Sequence, residues 1–225
     1  MHFVATYNVK LVVALIEPGR GVHARMNAVR LRACAAILIA AIHWGCGVGA
    51  ERLTFQAKVS DLRKQSNALA KGKRPDETIE LTLRGALPKT PASVNLIQRS
   101  AADFGTPESA TTAILSASTA GDVSWIVDSF VRAERDETVK QLADPAVRER
   151  TRSYYSSLGK VELFGCAEVR EFRVMFLRGM DADGDASLLT VTLSKTPSGW
   201  KQTNALSGDD TFDVIWTALH TGGVH

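Results

Sequence analysis

The chain has 225 residues, of which 45% are hydrophobic and 23% charged, and its formal net charge is +3. Five basic residues and one acidic residue lie in the first 50 positions, so the remainder has 22 basic and 23 acidic residues and a net charge of −1. A general nucleic-acid or membrane-binding role cannot be argued from that charge. The 175 residues after position 50 suit one domain with a sizeable core.

An apolar run at residues 33–42 carries the first signal along the chain. Arg30 and Arg32 precede it, and Val48-Gly49-Ala50 follows it. The run is too short to span a membrane, which takes about 20 apolar residues. A basic start, a short apolar stretch and a small-x-small exit are typical of a secretory signal peptide. We therefore predict export to the periplasm or the medium, with cleavage after Ala50.

Two further predictions concern the same leader. Met26 begins a signal peptide of ordinary length, so residues 1–25 are interpreted as a misannotated start and residues 26–50 as the signal. The alternative is a real N-terminal extension. Lipid attachment at Cys46 is the less favoured alternative, because His43 and Trp44 depart from the small residues that precede a lipoprotein cysteine.

Residues 51–103 form a basic N-terminal segment. Six basic residues lie between positions 58 and 74. Such a run could hold an anionic envelope surface, but it lacks the interleaved aromatic residues that stack on bases, so no specific nucleic acid is expected. The alternation of Ile79, Leu81 and Leu83 with polar residues predicts one half-buried strand in this segment.

Helices are predicted next. Thr106-Pro107 is a cap followed by proline at the first helical position, and Gly121-Asp122 ends one helix and caps another. Asp144-Pro145 repeats the start signal for a helix that Gly159 closes. The second helix has an apolar stripe that we expect to face the sheet. The stripe consists of Val123, Ile126, Val127, Phe130 and Val131.

After Gly159 the apolar period changes from helical to two, which predicts strands. Residues 168–180 alternate with both faces apolar in the second half, so they should form a central strand. Residues 187–195 and 200–206 give two more strands, and Asp209 or Asp210 caps a last helix. The predicted fold is α+β: helices followed by a curved antiparallel sheet, with an extra C-terminal helix.

Phe104-Gly105-Thr106-Pro107-Glu108, the Gly121-Asp122 break and the closing Gly199-Trp200-Lys201 resemble the nuclear transport factor 2-like (cystatin-like) superfamily. Within it, they are similar to a group of uncharacterised exported bacterial proteins. The resemblance covers about residues 104–206, within a domain predicted at 104–225. It implies a cone-like sheet around helices with a cavity at the open end. The superfamily includes isomerases, dehydratases and hydrolases, but also many domains without catalysis.

Candidate site residues are few. After position 50 the histidines are His220 and His225, outside the predicted sheet and first helices. If the protein is an enzyme, the best candidates are Glu171 as base and Tyr154 as acid. A ligand pocket would be lined by aromatic residues. The pocket candidates are Trp125, Tyr154, Tyr155, Phe172 and Trp200.

No cofactor and no metal site are expected. Asp181, Asp183 and Asp185 suggest a calcium loop, but Gly184 lies at position four rather than six, and Asp and Gly are also typical of hairpin turns. The sequence therefore favours a non-catalytic exported domain that binds a small ligand or a protein. One alternative is a small acid–base enzyme of the same fold, and another is an envelope-associated protein held by its basic segment.

The leader gives the first testable prediction. Mass spectrometry of the protein from its native cells should find Glu51 as the N-terminal residue, because Val48-Gly49-Ala50 offers the small side chains that a signal peptidase accepts. Recovery of intact residues 33–50 on soluble cytosolic protein would contradict export.

Overall fold

The computed structural model describes residues 51–181 and 184–225. The predicted start, signal peptide and lipid-attachment site, as well as Asp183, lie outside the described residues. The strands are β1 (Glu51–Lys58), β2 (Thr78–Ala86), β3 (Ala92–Ser93), β4 (Lys160–Val169), β5 (Phe172–Met180), β6 (Ala186–Thr196) and β7 (Gly199–Gln202). The helices are α1 (Pro107–Ala120), α2 (Val123–Ser129), α3 (Arg135–Ala143), α4 (Pro145–Ser157) and α5 (Asp210–Thr221).

The architecture is α+β, as predicted. The seven strands of the described chain form one open antiparallel sheet in the order β1-β2-β4-β5-β6-β7, with β3 paired to β4. The helix-first order is not confirmed, because β1 and β2 precede α1. The predicted cone-like shape is not confirmed either.

The segment 51–103 contributes three strands rather than the single predicted one. β1 pairs with β2 along its whole length, from Glu51↔Gly85 to Lys58↔Thr78. Leu53 and Phe55 of β1 are buried in the same core as β5. The basic residues between the two strands therefore belong to a hairpin connection of the main sheet.

β5 is the central strand and is apolar on both faces, as predicted. The predicted strand 168–180 is too long, however, because Glu168 and Val169 end β4 and a turn at 170–171 precedes β5. Met175 and Leu177 pack in a cluster with α1 and the start of β4. Val174 and Phe176 pack on the opposite face, in a cluster with α5. A sheet buried on both faces needs cover on both sides. Helices α1 to α4 supply one layer and α5 supplies the other.

The stripe of α2 does not face the sheet, which corrects the prediction. Trp125, Ile126 and Phe130 are buried in a cluster with Ala113 of α1 and Leu142 of α3. The helix ends at Ser129, so Phe130 is its C-cap in extended conformation. The physical reason is the unpredicted α3: its buried Leu142 provides an apolar partner within the helical layer.

Both outer edges of the sheet are covered. On β1, Thr54 exchanges backbone hydrogen bonds of 2.9 and 3.0 Å with His225, and the Gln56 N–H donates to Gly223 at 2.7 Å. On β7, the Trp200 N–H donates to the Phe104 carbonyl at 2.7 Å. Covered edges prevent pairing with other chains.

Phe130→Ala should lower the free energy of unfolding by about 3–5 kcal/mol, because the ring is 2% exposed and its removal leaves a cavity between α1, α2 and α3. Chemical denaturation monitored by circular dichroism measures the change. Val139→Ala is the control, since Val139 is 49% exposed on α3, and its effect should stay within about 0.5 kcal/mol. Equal effects of the two substitutions would mean that the α2 stripe is not core.

Candidate functional site

A cleft of about 240 Å³ lies between the helical layer and the end of β7. The apolar part of the lining comes from the helical layer, and the rest of the lining is polar. The residues that line it are Ser118, Ile126, Phe130, Glu134, Glu137, Thr138, Gln141, Leu142, Val147, Thr151, Tyr155, Gln202, Asn204 and Ser207.

Glu134 fixes the wall of the cleft that follows β7. One carboxylate oxygen accepts a hydrogen bond from the Thr203 hydroxyl, and the other accepts from the Asn204 N–H at 2.8 Å. Thr203 is buried, so its hydroxyl needs a partner inside the protein. The carboxylate thus holds the loop after β7 in place against the helical layer.

Lys201 provides a second connection between β7 and the helices. It is 7% exposed, and its Nζ donates to the Asp128 carbonyl at 2.9 Å, near the end of α2. The ammonium also lies 3.4 Å from the centre of the Phe104 ring. Burial lowers the pKa of Lys201, and the neighbouring Arg135 lowers it further. The Val131 N–H adds a backbone bond to the Gln202 carbonyl at 2.9 Å.

The lining has a negative charge. Glu134 and Glu137 are the ionisable carboxylates among its residues, and Lys, Arg and His do not occur among those that the structure places there. Glu137 is exposed at the mouth and accepts a weak hydrogen bond from the Gln141 amide at 3.3 Å. A cleft lined in this way favours positive or neutral polar groups over anions.

Tyr155 joins the cleft to a smaller cavity. That cavity, of about 40 Å³, shares Tyr155, Gln202, Asn204 and Ser207 with the cleft and reaches Leu189 of β6. Burial, with a smaller contribution from Tyr154, raises the pKa of the Tyr155 phenol. The hydroxyl is therefore protonated at neutral pH and available as a hydrogen-bond donor.

The structure brings one of the five aromatic pocket candidates to the cleft. Tyr155 lines it, and Tyr154 lies beside Tyr155 with ring centres 5.3 Å apart in an edge-to-face arrangement. Trp125 is buried among the helices, behind Ile126 and Phe130, and its indole N–H has no hydrogen-bond partner in the described chain.

The other two aromatic candidates lie elsewhere. Phe172 packs in the core on the α5 side of the sheet. Trp200 packs against the opposite core, and Arg173 and Lys195 lie 5.8 and 5.3 Å from its ring centre. Trp200 is not among the cleft residues. Trp200 and Gln202 are two residues apart and lie on the same face of β7, and it is Gln202, at the end of the strand, that reaches the cleft.

Glu171 and Tyr154 do not form an acid–base pair. Glu171 is exposed in the two-residue turn between β4 and β5, next to Arg170, whose φ is 55°. Tyr154 lies in the last turns of α4, which lead into the opposite end of β4. The two groups are thus separated by the length of a strand.

The basic segment is folded onto the domain. Arg63 pairs with the buried Asp213 of α5 at 3.4 Å, and Lys64 pairs with Asp210. Buried Asn67 donates to Asp213 at 3.1 Å. These ion pairs neutralise some of the positive charge that would be required to bind an anionic surface.

Asp181, Gly184 and Asp185 lie between β5 and β6. The Asp185 N–H donates to the Asp181 carboxylate at 2.9 Å, and the Gly184 N–H donates to the Asp181 carbonyl at 3.2 Å. No group of three metal-ligating side chains was found in the described ranges.

Comparisons with known proteins add little. No family model matches the chain, and no curated protein matches it. The solution structure of a SEC-C motif containing protein from Rhodopseudomonas palustris matches with a TM-score of 0.31 and 16% identity, over 43% of this chain and 74% of that one. A TM-score of 0.31 is too low to indicate a shared fold or function. No helix in the parts of the chain that the structure describes is long and apolar enough to cross a membrane.

Tyr155 gives a prediction on pH. Because its pKa is raised in the folded state, the unfolded chain loses the proton first, so the associated stability is present below pH 10 and is lost as pH rises above it. Tyr155→Phe should make the alkaline decline of the unfolding free energy shallower. Denaturation curves at several pH values between about 8 and 11 measure this decline.

Tyr154→Phe is the matched control. Burial raises the pKa of Tyr154 as well, but the increase is smaller than for Tyr155. If Tyr154→Phe changed the alkaline decline of the unfolding free energy more than Tyr155→Phe did, the result would contradict the enclosure of Tyr155.

Proposed function

We propose that this protein is a non-catalytic, exported α+β domain of the nuclear transport factor 2-like type that binds a small ligand. The observation that carries the proposal is the 240 Å³ cleft between the helical layer and the end of β7. Ligand sites are concave and largely apolar, with a few polar groups that orient the ligand. The cone-like sheet and the export are the parts of the proposal that rest on sequence.

The size of the cleft limits the ligand. Cavities of about 150 Å³ in other proteins hold a benzene molecule. A volume of 240 Å³ therefore suits one ring with a short polar chain, or a molecule of similar size. Ile126, Phe130, Leu142 and Val147 provide the apolar contact, and Gln141, Gln202 and Asn204 provide hydrogen-bonding groups.

The state of the carboxylates supports binding rather than acid–base chemistry. Both oxygens of Glu134 already accept hydrogen bonds from the loop after β7. Glu137 is exposed at the mouth. A general base needs a free oxygen within reach of the substrate and a pKa near the working pH.

A small acid–base enzyme is the second candidate. One observation favours it: Glu137 and the Tyr155 phenol line the same cleft. In that case Glu137 is the base and Tyr155 the hydrogen-bond donor, in place of Glu171 and Tyr154.

Gln141→Trp tests the binding proposal. The indole should fill the mouth of the cleft, because Gln141 is half-buried among the lining residues. The probe is 2-phenylethanol, a neutral molecule of one ring and a short polar chain, followed by ligand-observed NMR. The native protein should show saturation transfer to the probe, and Gln141→Trp should abolish it.

Lys140→Trp is the control on the same helix. Lys140 is exposed and does not line the cleft, so the indole there should leave the signal unchanged. No saturation transfer with the native protein, or equal loss in both variants, would count against the cleft as a binding site.

A further inference from the structure

We infer that the ligand of the cleft is an organic cation, a small amine whose apolar body packs against the helices. The inference rests on the proposed function and names the ligand class of the same site. It follows from the charges of the residues that line the cleft. It also follows from the hydrogen bonds and ion pairs that Arg135, Arg152 and Lys201 make with groups outside the cleft lining.

Two carboxylates contribute the formal charge of the lining, and no Lys, Arg or His is among the residues that the structure describes there. Glu134 is held in place by its bonds to Thr203 and Asn204, so its charge is a fixed part of the wall. Glu137 lies one helical turn further on, at the mouth of the cleft. Residues three apart on a helix lie on the same face.

Three basic side chains near the cleft are bound to other groups, and Lys140, three residues after Glu137, is exposed and does not line the cleft. Arg135 follows Glu134 directly, but its Nε donates to the Phe130 carbonyl at 3.2 Å and another guanidinium nitrogen donates to the Asp128 carbonyl at 3.2 Å. Lys201 donates to the same Asp128 carbonyl. Arg152 of α4 pairs with Glu149 at 2.9 Å. These cations bind the end of α2 or a neighbouring side chain, and the negative charge of the cleft has no partner cation among its lining residues.

The shape of the lining fits a molecule with two ends. Ile126, Phe130, Leu142 and Val147 form the apolar side, and Glu137 with Gln141 forms the polar rim. An ammonium group at the rim gains from the carboxylate while an attached ring packs below. A carboxylate at the same place meets two like charges and finds no cation. The charge therefore selects between ligands of equal size.

The test uses three probes that share a phenylethyl body: 2-phenylethylamine (cation), 2-phenylethanol (neutral) and 3-phenylpropionate (anion). Binding to the full chain is measured by ligand-observed NMR titration at low ionic strength. The amine should bind at least about threefold more tightly than the alcohol, as expected for one partly exposed ion pair. The anion should bind more weakly than the alcohol. Raising the salt should reduce the amine's advantage, because salt screens exposed charges.

Glu137→Gln should remove most of the amine's advantage over the alcohol. Glu137 is exposed, and its described hydrogen bond is the weak one from Gln141, so the variant should fold normally. Asp136→Asn is the matched control, since Asp136 is exposed on the same helix and does not line the cleft. It should keep the full preference for the amine.

The outcomes separate the two proposals. If the alcohol binds and the amine binds no better, the cleft is a binding site and the cation inference is wrong. Equal loss of amine preference in Glu137→Gln and Asp136→Asn would also overturn it, since the effect would then reflect net charge alone. If none of the three probes binds, the proposed function fails, and the inference fails with it.

Discussion

The fold depends on the need to cover β5 on both faces. Met175 and Leu177 on one face, and Val174 and Phe176 on the other, are all buried. A strand with this pattern is stable only at the centre of a sheet with apolar layers above and below. The chain meets the requirement by placing α1 to α4 on one face and α5, with β1 and β2, around the other. The C-terminal helix α5 therefore helps to cover one of the two faces of the central strand.

The cleft lies where β7 ends. Its lining combines Gln202, the last residue of that strand, and residues of the loop after it with side chains of α2, α3 and α4. Glu134 and Lys201 keep the two sides in fixed positions, one by a carboxylate and one by an ammonium group. Both use a charged group at the boundary between helix and sheet, where an unpaired charge would be costly to bury. The geometry of the cleft is thus maintained by polar contacts on an otherwise apolar frame.

Local signals in the sequence predicted much of this structure. Thr106, Asp122 and Asp144 cap helices as expected, and Gly121 ends α1 with a φ of 66°. The alternation in β5 and β6 was also clear. α3 was missed because it buries only Thr138 and Leu142 among the described residues and is otherwise polar, so it has no apolar stripe. β1 was missed although Leu53, Phe55 and Ala57 alternate with polar residues, a pattern typical of a half-buried strand. Since Glu137 and Gln141 lie on α3, the site could not be located before the fold was known. Aromatic residues were better indicators of the core than of the cleft, because large rings stabilise either environment by burial.

The pairing of residues 223–225 with β1 has a consequence for how this region responds to change. The contacts join backbone groups of Thr54 and Gln56 to those of Gly223 and His225. Backbone bonds are made by almost any residue, so side-chain substitutions at Thr54, Gln56 and His225 should be tolerated. Gly223 is the exception, because a Cβ there would lie 2.1 Å from the Gln56 carbonyl oxygen. Shortening the chain is a different perturbation, because it removes residues 223–225 and leaves the Thr54 N–H, the Thr54 carbonyl and the Gln56 N–H without these partners. At His225, tolerance to substitution and sensitivity to deletion would then occur together, and sequence variation there would be a poor guide to structural importance.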